Sequence, residues 1–237
     1  MSLEFDPVEA ARALARQDRR LARLIQRAGP CQLSAEKLQS PFQALFKAIV
    51  YQQLSGKAAA TILARVKAQF PGRHGLRPAA VLEATDESLR QAGMSRAKIA
   101  AVKDLAAKTL DGTVPGLARL RAMDDAEILA RLVSVRGIGA WTVEMLLMFR
   151  LGRPDVLPVS DLGVRRGFML TYRTAEMPKP NVMLKHAERW RPYRSVASWY
   201  MWRAVDLHRA AEPRVLRKGA GEETTSGPTE QRNPLSG

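Results

Sequence analysis

Apolar residues recur every three to four positions along most of the chain, the period of a helix with one buried face. The spacing predicts a helix from Pro7 to Arg27, with Ala11, Leu14, Leu21 and Ile25 inward and Arg12, Arg16, Arg19 and Arg23 mostly outward, ended by Gly29-Pro30. From Pro41 the residues Phe42, Leu45, Phe46, Ile49 and Val50 form one apolar face that runs into Tyr51-Gln52-Gln53-Leu54-Ser55. Lys57 to Phe70 and Pro78 to Gln91 read as two more helices, closed by Pro71-Gly72 and Gly93. Ser95 caps a helix that carries Ile99, Val102, Leu105 and Leu110 and stops at Asp111-Gly112. Further on, helices are expected at 162–171, 183–191 and 193–209, the last two separated at Pro192. No stretch alternates long enough to build a sheet, so the fold class is all-α.

The densest stretch runs from Leu132 to Phe168. Asp124 and Asp125 can cap a helix with Ile128, Leu129, Leu132 and Val133 inward, which must stop at Gly137. Gly137-Ile138-Gly139 then offers two residues free to take positive φ, and a second apolar helix starts near Ala140 and runs through Met145, Leu146 and Phe149. Two short helices joined this way expose amides at a helix start, which can hold a phosphate without reading a base. Downstream, Asp161 follows Pro158 in a turn and precedes a helix, so it is expected to be an N-cap, where the helix dipole and backbone N–H groups favour an anion. Asp155, in the preceding loop, lacks that setting and is read as structural.

Composition narrows the partners. The chain has 237 residues, 46% of them hydrophobic, and a net charge of +15 spread through the helical part, which favours a polyanion such as nucleic acid. The single cysteine, Cys31, can form no internal disulfide and no thiolate cluster, so a reducing cytoplasm is the default. No long uncharged apolar run or basic-then-apolar leader is present, and no membrane association is expected. His74, His186 and His208 are scattered, and no His, Cys and carboxylate cluster indicates zinc or a catalytic metal. The stretch from about Ala211 to Gly237 is rich in Gly, Ser, Thr and Pro and is expected to be a disordered tail.

The sequence L-V-S-V-R-G-I-G-A-W-T followed by L-P-V-S-D-L-G-V resembles the helix-hairpin-helix and Gly/Pro-Asp signature of base-excision DNA glycosylases, in particular the DNA-3-methyladenine glycosylase II branch. The resemblance extends from about Glu36 to His208, including Gln91 to Lys98. It implies two helical lobes with a DNA-binding cleft between them: residues 1–40 with 158–210 in one, and 41–157 in the other, with the hairpin at 124–149. The extra N-terminal sheet domain of the best-known bacterial members is expected to be absent.

By the same resemblance Asp161 is the catalytic carboxylate. Breaking an N-glycosidic bond builds positive charge on the deoxyribose, which a fixed carboxylate stabilises. Gln53 matches the wedge that fills the gap left by an extruded nucleotide, and Leu54, Gly137, Gly139 and Thr142 join it in contacting DNA. Trp141 and Trp202 match aromatic residues of the base pocket, where electron-rich indole faces would attract a cationic alkylated purine by about 0.5 to 2 kcal/mol per contact. Met145 stands where a pocket tyrosine is found in those bacterial members and leaves the substrate range open.

Trp141 also occupies the place of the lysine nucleophile of strand-cutting relatives, so a monofunctional enzyme is expected. Lone Cys31 leaves no iron–sulfur cluster. The resemblance implies no required cofactor and a structural monovalent cation, sodium or potassium, on the backbone carbonyls of the matching residues Val133, Val135 and Ile138. The expected partner is double-stranded DNA with damaged bases, bound by a monomer in a bacterial-type, nucleoid-associated cytoplasmic setting. The alternatives are a glycosylase for deaminated or oxidised bases, and a non-catalytic binder of damaged DNA.

Overall fold

The computed structural model describes residues 3, 5–36, 38, 40–72 and 75–211, and among these the secondary structure is entirely helical. The helices are α1 (Pro7–Gln17), α2 (Arg19–Ala28), α3 (Pro41–Tyr51), α4 (Gly56–Ala68), α5 (Pro78–Glu83), α6 (Asp86–Gln91) and α7 (Arg96–Leu110). They continue with α8 (Leu117–Ala122), α9 (Asp125–Leu132), α10 (Ala140–Leu146), α11 (Leu162–Tyr172), α12 (Pro180–Ala187) and α13 (Arg194–Ala211). None of them is long and apolar enough to cross a membrane. His74 and the tail beyond Ala211 lie outside the described residues.

The chain forms two compact units that divide after Ala35 and after Leu151. One holds both ends of the described chain, α1, α2 and α11 to α13. The other is a single continuous stretch, α3 to α10.

In the first unit the expected single helix over Pro7 to Arg27 is two. Asp18 breaks it: its backbone is extended (φ −140°, ψ 105°), its N–H closes α1 on the Leu14 carbonyl, and its carboxylate caps α2 through the N–H groups of Arg20 and Leu21. The second carboxylate oxygen is buried, accepting from the Tyr172 hydroxyl at 2.6 Å and the Trp190 indole at 3.3 Å, with His186 Nε2 at 3.2 Å. Burial would raise its pKa, but the bonds from His186, Tyr172, the Leu21 N–H and Trp190 outweigh it and hold the group far below the usual carboxylate range. Helices α11 and α13 pack through Gly167, where a Cβ would stand 1.9 Å from the Met201 carbonyl oxygen. Only glycine permits that approach.

In the second unit α7 packs against α3, α5 and α6, and Val102 and Leu105 of α7, Phe46 and Ile49 of α3 and Leu89 of α6 are all fully buried. Pro78 to Gln91, expected as one helix, is divided by Thr85, whose hydroxyl caps α6 through the Ser88 N–H. The short α8 carries too little periodic pattern to have been expected.

Cys31 is buried, and burial pushes its thiol up to about 12, so it is a packing residue and not a nucleophile.

Candidate nucleic-acid interface

Each unit presents one group of predicted site residues. In the second, Asp124 caps α9 through the Glu127 N–H, as its sequence position requires, but α9 ends at Leu132 instead of reaching Gly137. The connection is a series of tight turns: Ser134 bonds back to Arg131, Val135 to Leu132, and Ile138 to Val135. Val135 and Ile138 are buried, so an apolar knot stops the helix before the glycine is reached. Gly137 has φ +78°, but Gly139 has φ −94°, an extended conformation open to any residue. Only one of the two glycines therefore serves the left-handed turn. α10 starts at Ala140 with no side-chain cap and passes at Leu147 into a wider π-helical turn.

The bend is held from outside. Asp104 of α7 accepts the Arg136 N–H at 2.7 Å, the Lys108 ammonium reaches the Ser134 carbonyl, and the Gln52 amide donates to the Gly137 carbonyl at 2.8 Å. Burial would raise the Asp104 pKa, but the Arg136 N–H and the Lys108 ammonium lower it further. Neither Asp104 nor Lys108 stood out by sequence pattern, since charged residues on one side of α7 read as a solvated face, whereas Gln52 interrupts an apolar helix end without indicating its partner.

Gln53, at the end of α3, is exposed and holds φ +57°, rare for a residue with a Cβ. Leu54 beside it is 39% exposed. Gln53, Gly137, Trp141 and Thr142 line one cavity of about 380 Å³, together with Lys47 and Tyr51. Trp141 is 36% exposed there, whereas Thr142 is largely buried. The Lys47 ammonium stands 5.2 Å from the centre of the Tyr51 ring, and burial, then Arg150, lowers its pKa. Lys47 and Tyr51 were missed because they continue the helical period of α3 without interrupting it. Met145 is fully buried and is not part of the cavity wall, so its side chain fills the core of this unit.

In the first unit Asp161 is the N-cap of α11, its Oδ1 accepting the Val164 N–H at 2.7 Å. The same oxygen accepts the Trp202 indole N–H at 2.9 Å. Trp202 thus holds the carboxylate, a role its sequence spacing did not reveal. Gly163 makes room for it: a Cβ there would lie 2.7 Å from the indole and 3.0 Å from the carboxylate oxygen. Gly163 and Gly167, one helical turn apart, are the signal that could have been read as close approach of a second helix. Trp190 and Trp199 are core residues. Asp155 is engaged by Arg191 and Arg194, the latter at 2.7 Å, which fits the structural role expected of it.

A bend between two short helices and a carboxylate capping the helix that follows define a helix-hairpin-helix protein with its acidic motif. The chain belongs to the HhH-GPD superfamily of base excision DNA repair proteins, whose family model matches residues 46–192. It is 36% identical to DNA-3-methyladenine glycosylase 1 of Schizosaccharomyces pombe over 200 residues, covering 82% of this chain and 85% of the relative. Among solved structures, a DNA-3-methyladenine glycosidase from Bacillus halodurans superposes with a TM-score of 0.77 at 35% identity, over 88% of this chain and 94% of the other. The Schizosaccharomyces pombe 3-methyladenine DNA glycosylase in complex with abasic DNA gives 0.70 at 33% identity, over 82% and 95%.

Proposed function

We propose that this protein is a monofunctional DNA glycosylase of the 3-methyladenine type II kind, releasing alkylated bases from double-stranded DNA and leaving an abasic site. The observation that carries the reading is the Asp161 carboxylate, fixed by two donors on one oxygen at the start of α11, in a chain similar over most of its length to a glycosylase bound to abasic DNA. A carboxylate held that way needs no reorganisation as positive charge develops on the deoxyribose, and it can orient the water that completes hydrolysis. An alkylated purine already carries positive charge and leaves readily, so no strong general acid is needed.

Gln53 enters the duplex and fills the gap of the extruded nucleotide, flanked by Leu54. The bend around Gly137 and Gly139, with Thr142, grips the phosphate backbone. Trp141 offers an indole face to the base, and Trp202 both holds Asp161 and stands beside it. The carbonyls of Val133, Val135 and Ile138 would hold a monovalent cation. The donor set fits a weakly charged ion, being neutral oxygens only, and Val135 shares its carbonyl with the Ile138 N–H. Such an ion would add positive charge for a phosphate. The protein acts as a monomer in a cytoplasmic, nucleoid-associated setting.

The test is incubation with methylated duplex DNA followed by chromatography of the released bases. Free methyladenine with intact abasic strands supports the reading. Borohydride trapping of a covalent protein–DNA adduct at the pace of base release would overturn the monofunctional part, because Trp141 has no amine to form one. Salt-sensitive binding with no base released would leave only a damage-binding protein.

A further inference from the structure

We infer that Lys98 is a positioning residue for the Gln53 turn, and that one face of α7 fixes that turn and the hairpin bend in a single register. The inference rests on the reading of Gln53 as the residue that enters the duplex.

Helix α3 ends without a glycine. Gln52 leaves the helix at φ −56°, ψ 131°, and Gln53 then takes the left-handed conformation. The last carbonyls of a helix need donors from elsewhere. Here the Lys98 ammonium donates to Val50 O at 2.6 Å and to Gln52 O at 2.8 Å, bracketing the point where the helix stops.

Lys98 is poorly placed to serve its own helix. It sits in the first turn of α7, its N–H bonded to the Ser95 cap, where a cation opposes the α7 dipole. Burial lowers its pKa, the mark of a charge withdrawn from water. Both disadvantages are offset at the end of α3, where a cation complements the dipole and satisfies two carbonyls.

Three more residues of α7 carry the link to the bend. A Cβ at Gly137 would meet the Ala101 methyl at 3.3 Å, Asp104 holds the Arg136 N–H, and Lys108 holds the Ser134 carbonyl. Positions 98, 101, 104 and 108 recur at helical spacing, so they form one stripe. Gln52 closes the circuit by bonding Gly137 O directly. The part that enters the duplex and the part that grips the phosphate therefore move together, with α7 as the rule between them.

Lys98→Met keeps the aliphatic stem and removes the donors, and Lys98→Arg returns them. Two readouts separate positioning from folding. One is single-turnover release of an alkylated purine from a paired site and from the same lesion opposite an abasic site, where extrusion is easier. The other is the fluorescence rise of 2-aminopurine placed beside an abasic analogue, which reports insertion without chemistry.

Lys98→Met is expected to slow release from the paired site on the order of tenfold or more, as a misplaced group does, while release opposite the abasic site stays near wild type. The fluorescence rise should fall in parallel, Lys98→Arg should recover it, and Lys98→Met added to Gln53→Ala should cost nothing beyond Gln53→Ala alone. An unchanged fluorescence rise, or fully additive defects in the double variant, would overturn the inference. Should Lys98→Met fail to fold, Lys98→Gln, whose shorter stem cannot reach both the Val50 and Gln52 carbonyls, takes its place, and the same outcomes decide. If the wild type releases no base from either duplex, the glycosylase reading falls, whereas the fluorescence arm still decides the role of Lys98.

Discussion

The hairpin bend and the start of α11 are both turns that lead into a helix, and they are built in opposite ways. The bend at 133–139 is held by long side chains reaching in from α3 and α7: Gln52, Asp104 and Lys108. The start of α11 is held by side chains that are missing. Gly163 and Gly167 let α13 come close enough for Trp202 to bond Asp161. A scaffold of separate polar contacts can lose one and keep its shape, whereas a close backbone approach admits no added atom. Perturbation should therefore be graded in the bend and abrupt at α11.

The largest effect is expected at Gly167. An added methyl would overlap the Met201 backbone, and backbone cannot swing aside, so Gly167→Ala should destabilise the protein by about 3 kcal/mol or more, read by denaturant unfolding. An unshifted midpoint would break the comparison at its stronger end.

Asp18→Asn comes next. It leaves the buried Tyr172 and Trp190 donors and the half-buried His186 facing a weaker acceptor, at a cost of about 3 kcal/mol at neutral pH. Because the Asp18 pKa is depressed in the folded state, its contribution is fully present above the unfolded value near 3.9 and is lost as pH falls toward the folded value. Stability of the wild type should thus decline below about pH 4 more steeply than that of the variant.

Gly163→Ala should be smaller in stability but marked in activity, since the methyl would meet the movable indole of Trp202 and push it off Asp161. A loss of about 1 to 3 kcal/mol, with a larger proportional loss of base release than of DNA affinity, is the expected pattern. The smallest effects sharpen the other side of the comparison. Gly137→Ala forces a Cβ into φ +78° beside Ala101 and should cost about 1 to 2 kcal/mol, but Gly139→Ala, with open space and an ordinary φ, should stay within about 0.5 kcal/mol. Equal costs for the two would contradict the assignment of the left-handed position to Gly137 alone.

Much of this architecture is legible in the chain because helices state their period and their caps. Ser95, Asp124 and Asp161 each cap the helix their positions indicate. Breaks that preserve the period are silent. Leu14 and Leu21 stay in phase across Asp18, and Val81 and Leu89 across Thr85, so in each case one long helix and two short ones have the same apolar pattern. Polar residues that reach across to another element are equally silent, because Lys98, Asp104 and Lys108 are indistinguishable in sequence from a solvated helix face. Trp202 illustrates the same limit: its spacing fits either core or pocket, and only the distance to Asp161 shows what its N–H does.

The account turns on the Asp161 carboxylate, and single-turnover release of methyladenine from alkylated duplex by wild type and Asp161→Asn tests it most directly. The variant keeps an acceptor for the Val164 and Trp202 N–H groups and loses only the charge, so DNA affinity and melting temperature should hold while the rate falls by about 10²-fold or more. Release by Asp161→Asn at the wild-type rate would contradict it.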